Sequence, residues 1–147
     1  MEEPMVSTDG FSLAATIILI FPMIYFAFAT LTFFLAKMSD PIATRLLRGL
    51  FHVYFRVVVV LCSIGAIAFV RAGKPDVVLG LVMIVALAFL VGRFFVRQLD
   101  AQILARDAGD PRATRSLRRI HVGGLLYNLV QLGVIMASVP HMFAATT

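Results

Sequence analysis

The sequence predicts an all-α integral membrane protein, a four-helix bundle made of two tandem helical hairpins. Three observations predict it. Apolar residues make up 61% of the 147-residue chain and charged residues only 14%, against roughly 45–50% and about 25% in soluble globular domains. Four apolar runs each reach the roughly 17–25 residues that cross a bilayer core. The first and third connections between those runs carry nearly the same motif. The reading is one transmembrane domain, 1–147, with a first repeat at about 11–70 and a second at about 77–140.

The first run covers about 11–36. Glu2, Glu3 and Asp9 precede it, with no Lys or Arg, whereas a cleaved signal peptide has a basic start and a shorter apolar stretch. It therefore reads as a retained helix, kinked at Pro22, where the ring removes a backbone donor. The second run covers about 46–70. The third begins near Val77, after the turn residues Gly73, Lys74, Pro75 and Asp76, and stays apolar to about Val96. Good helix formers carry that helix on to Arg106, and Ala108, Gly109, Asp110 and Pro111 end it. The fourth run covers 120–139, with Pro140 marking its end.

Charge orients the spans. The first connection holds Lys37, Arg45 and Arg48, and the third holds Arg97, Arg106, Arg112, Arg115, Arg118 and Arg119. The second connection has only Arg71 and Lys74, and the tails have none. Four spans place connections one and three together, nine basic residues against two. The positive-inside rule puts that side in the cytoplasm and both termini outside. The net charge of +5 is thus read as orientation and lipid contact, with no nucleic-acid surface.

The repeated motif is Leu-Ala-basic, a short turn, then Asp-Pro-x-Ala-Thr-Arg-x-Leu-Arg and His-Val. It runs from Leu35 through Asp40, Pro41 and Arg48 to His52, and again from Leu104 through Asp110, Pro111 and Arg118 to His121, the two copies slipping by one residue before Asp-Pro and by one before His. Chance agreement at this density is improbable, so the reading is a duplication. Asp40 and Asp110 are placed to cap helix starts, and Pro41 and Pro111 suit the first helical position. Two spans per repeat give both halves the same direction, related by a pseudo-twofold axis along the membrane normal.

Polar residues inside spans are costly, which makes each a candidate. Arg45, Arg48, His52 and Arg56 are three and four apart and share one helix face. Arg115, Arg118, His121, Asn128 and Gln131 nearly do the same on the fourth helix, and Arg93 and Arg97 stand four apart on the third. Together they predict one basic funnel reaching into the cytoplasmic leaflet, with Arg45, Arg48, Arg56, Arg93, Arg97, Arg115 and Arg118 toward an anion or lipid headgroup. His52, His121, Asn128 and Gln131 form its polar interior. The plainer alternative is that the arginines snorkel to headgroups and the amides and Tyr127 hold helices together. Paired His52 and His121 could ligate the iron of haem b, although no CxxCH motif is present. The single cysteine, Cys62, lies in an apolar run and reads as core. The chain has no phosphate loop, HExxH or Ser-His-Asp layout.

Leu99 and Asp100 at the exit of the third helix, Ile120 with His121, and Tyr127 to Leu132 carry a resemblance. Over 97–135 the chain resembles a bacterial family of unknown function related to transmembrane protein 205. That resemblance implies a small four-helix membrane protein. The function expected is a non-enzymatic accessory or binding protein of the bacterial inner membrane, engaging anionic lipid or a small anion, alone or in a larger complex or homo-oligomer. A haem-binding redox subunit and a small oligomeric transporter are the alternatives.

Overall fold

The computed structural model describes residues 8–143, with side chains at residue 14 and 16–140. Its four helices are α1 (Thr8–Thr32), α2 (Pro41–Arg71), α3 (Pro75–Asp107) and α4 (Ala113–Phe143), and no strand occurs among the described residues. Short connections make consecutive helices antiparallel. Each helix packs against two neighbours, closing a ring in the order α1, α2, α3, α4. The four-helix, all-α expectation is met.

Local chemistry explains where the helices begin and end. At the end of α1 the Thr30 hydroxyl donates to the Phe26 carbonyl (2.7 Å) and the Thr32 hydroxyl to Ala29 (2.7 Å). Beyond them the backbone tightens, with Phe33 N bonding to Thr30 O and Phe34 N to Leu31 O. Such three-residue turns tend to terminate a helix, so α1 closes before its apolar run does. The Asp40 carboxylate accepts the Ile42 amide at 2.8 Å, with Pro41 as the first residue of α2. Asp110 accepts Arg112 N at the same distance, but Pro111 lies in the turn before α4 and not at its first position as expected. The difference is the tight bond from Ala113 N to Asp110 O, which delays the helix. The fourth helix also runs through Pro140 instead of ending there. The ring removes only its own amide from the ladder, and the residues after it still have carbonyls four positions back to bond.

After α2 and α3 the chain turns through Gly73 (φ 68°) and Gly109 (φ 89°), the left-handed region. In both turns an amide reaches back five residues, Lys74 N to Phe69 O (3.1 Å) and Asp110 N to Ala105 O (3.0 Å), which satisfies end carbonyls. A side chain at Gly109 would strain this turn. Gly109→Ala is expected to destabilise the protein by about 1 kcal/mol. Thermal unfolding followed with a thiol-reactive dye would read it, because Cys62 is the sole cysteine and is fully buried. An unchanged midpoint would argue that the turn tolerates other conformations.

The core runs the length of the bundle. Phe51 meets Phe26 edge-on at 5.3 Å and Phe95 at 5.7 Å, while Tyr54 stacks on Phe26 at 3.9 Å. The outer surface is apolar too, with Phe21, Phe28, Ile64, Ile67, Leu90 and Val130 exposed. By length and composition, three helices are long and apolar enough to cross a membrane: Pro41–Arg71, Pro75–Asp107 and Ala113–Pro140. Within α1 the corresponding described stretch is the shorter Thr16–Thr32.

Candidate functional site

Where α2 and α3 meet, they close tightly at one point. A Cβ placed on Gly92 would stand 2.7 Å from Phe55 Cγ, so only glycine lets the ring of α2 settle against α3 there. Above this contact the helices leave a groove of about 580 Å³. One end is lined by His52 and Arg56 of α2 and by Arg93 and Arg97 of α3, the other by Val59, Val60, Ala88 and Phe89. Antiparallel packing produces this division, because the chain order of charged and apolar residues reverses between the two helices. The Arg93 guanidinium lies over the Phe89 ring, 5.5 Å from its centre, a contact that favours a fixed orientation. Among the described residues the ion pairs use Arg48 and Arg106, and none joins Arg56, Arg93 or Arg97 to a carboxylate.

The remaining arginines of the expected funnel have other roles. Arg48 pairs with Asp100 side-on, Nε donating to Oδ1 and Nη2 to Oδ2 (3.0 Å). Both side chains are more than 40% exposed, and such pairs contribute only about 0–1 kcal/mol. Arg118 donates to the Ala36 carbonyl at 3.4 Å, while Arg45 and Arg115 are exposed. Charge counting assigns Arg106 only an orienting role, yet its side chain is 8% exposed. It reaches from the end of α3 to the Thr44 hydroxyl and the Asp40 carbonyl, with Asp107 as its ion-pair partner at 2.6 Å. Its signal in the sequence was the repeated Leu-Ala-basic step preceding each turn.

His121, Asn128 and Gln131 are elsewhere, inside the bundle. The expected single funnel is therefore two separate features: an outer basic groove and an inner polar chain. His121 Nε2 donates to the Thr30 carbonyl at 2.9 Å, and the Phe34 ring covers the imidazole at 4.8 Å. Asn128 Nδ2 donates to the Tyr54 hydroxyl (2.7 Å), which donates to Gln131 Oε1 (3.2 Å). Gln131 Nε2 in turn donates to the Tyr127 hydroxyl at 2.9 Å. Two acceptors, His121 Nδ1 and Asn128 Oδ1, are buried with no partner among the described residues. Tyr54, the centre of this chain, was not singled out from the sequence. Its only signal was a hydroxyl on the core-facing stripe of α2.

The two histidines occupy different surroundings, and helix geometry explains why. Leu47, Phe51, Tyr54, Phe55 and Val58 are buried on α2, and Leu117, His121, Gly124, Leu125 and Asn128 are buried at the same spacing on α4. His121 thus stands where α2 has Phe51. His52 comes one residue later, and one residue turns a helix by about 100°. The slippage that aligned the histidines in the motif moves His52 out of the core and onto the groove.

No protein-family model, curated protein or solved structure matches the chain.

Proposed function

We propose that this chain is a multi-pass protein of the bacterial inner membrane that binds anionic groups at its cytoplasmic side, as an accessory or binding protein and not an enzyme. The Asp40 and Asp110 turns face the cytoplasm in this reading, and both termini lie outside. The basic bias of those connections supports the orientation, and the exposed phenylalanines, leucines and isoleucines suit contact with lipid. Two tandem hairpins, related to the family near transmembrane protein 205, belong to the same proposal. The shared spacing of buried residues on α2 and α4 supports it, as do the aspartates, whose carboxylates each accept the amide two residues on.

The observation that carries the binding reading is the gathering of Arg56, Arg93 and Arg97 around one groove without a carboxylate partner. Arg71, at the far end of α2, is roughly 22 Å from Arg56 along the helix. In a hydrocarbon layer of about 30 Å this puts Arg56 just below the cytoplasmic headgroups. Uncompensated charge at that depth is costly, and a phosphate or similar anion would relieve it through charge-assisted hydrogen bonds.

The test is to purify the wild type and an R56Q/R93Q/R97Q variant in mild detergent and measure bound phosphorus after washing. The variant is expected to retain at least about tenfold less anion, since even one lost charge-assisted bond contributes roughly 1.5–3 kcal/mol. All three side chains are exposed, so its thermal midpoint should stay near that of the wild type. Equal retention of phosphorus by the two proteins would overturn the reading.

A further inference from the structure

We propose that the α2–α3 groove seats one anionic phospholipid molecule, its phosphate held by Arg56, Arg93 and Arg97 and one acyl chain lying along Val59, Val60, Ala88 and Phe89. This rests on the binding reading above and narrows it from an anion to an amphiphile.

The shape and the division of the groove carry the inference. A free inorganic anion would use only the basic end, and would give no role to the apolar half beside it. At about 580 Å³ the groove lies within the roughly 300–1,000 Å³ of sites that hold whole organic ligands, far more than a lone phosphate fills. Ala88 and Gly92, small and buried residues of α3, line its floor, with the Phe55 ring closed against Gly92. Val60 and Phe89, by contrast, are 55% and 54% exposed, so the apolar end opens outward, where the rest of a lipid tail would continue into the bilayer.

The basic end matches a phosphodiester in kind. Guanidinium groups present paired donors that fit phosphate oxygens. Arg93 is already oriented by Phe89, and the nearby acid, Asp100, is occupied by Arg48. His52 adds a half-buried imidazole at the same level, within reach of a polar headgroup substituent. Charge and apolar surface therefore lie in the order a phospholipid presents them, headgroup toward the cytoplasm and chain toward the membrane centre.

Native mass spectrometry of the detergent-purified protein would test this with three titrants: dioleoyl phosphatidylglycerol, dioleoyl phosphatidylcholine and inorganic phosphate. The wild type is expected to take up one phosphatidylglycerol about tenfold more tightly than phosphatidylcholine, and millimolar phosphate should not displace it. Val60→Trp fills the apolar end from an exposed position, and Phe89→Ala removes its wall. Each is expected to weaken phosphatidylglycerol binding about tenfold; Val60→Trp leaves the arginines in place, while Phe89→Ala also frees Arg93 from its ring. If inorganic phosphate displaces the lipid and both variants bind it like wild type, the site takes a small anion; the lipid inference then falls and the anion reading stands. If R56Q/R93Q/R97Q binds phosphatidylglycerol as tightly as wild type, both fall.

Discussion

Phe51→Ala is expected to cost about 3–5 kcal/mol, the range for removing a fully buried aromatic ring. Phe51 is 0% exposed and reaches from α2 across the bundle to α4, between the rings of Phe26 and Phe95. Its site exists only because α4 carries glycine there: a Cβ on Gly124 would overlap the Phe51 ring. Gly124→Ala alone should therefore overpack the core and cost about 1–3 kcal/mol. The two changes must interact. With the ring removed the alanine methyl has room, so the double variant should be more stable than the summed single effects imply, by about 1–3 kcal/mol. The thiol-dye midpoint reporting on Cys62 would measure all four proteins. Strict additivity would mean that Gly124 does not serve to admit Phe51.

The second large effect concerns the inner polar chain. Tyr54→Phe deletes the hydroxyl that joins Asn128 to Gln131, and leaves an amide donor and an amide acceptor buried without partners. It is expected to cost about 1–2 kcal/mol, the upper range for interhelical hydrogen bonds among membrane helices. Asn128→Leu should cost less. It removes the donor together with the unpaired Oδ1, and the Tyr54–Gln131 bond survives. The same melting measurement ranks the variants. If Asn128→Leu proved the most damaging, Asn128 would have a partner or task beyond its bond to Tyr54.

Much of the fold was legible because it depends on local chemistry and on the span of an apolar run. Helix number, the cap at Asp40, the Asp110 turn and the glycine turns follow from residues within a few positions of one another. Even there the tertiary context moved boundaries. Threonine side chains closed α1 early, a tight turn displaced Pro111, and α4 ran through Pro140. The site was less legible. Spacing along one helix identified Arg56 with His52, and Arg93 with Arg97, but not that the two pairs share a groove. Their meeting depends on the close approach of Phe55 to Gly92, two residues on different helices.

The sequence by itself determined a chain of four apolar helices, their connections and the asymmetry of basic charge, since each depends on composition or on neighbours in sequence. Only the tertiary structure decided which polar residues meet. It paired Arg48 with Asp100, drew Arg106 under Thr44, and enclosed His121 while leaving His52 on the groove. The physical reason is rotation. Each residue advances a helix by about 100°, so a one-residue offset that hardly alters a sequence motif exchanges a core position for a surface one. Which face turns inward is set by packing across the bundle, through contacts such as Phe51 with Gly124 and Phe55 with Gly92.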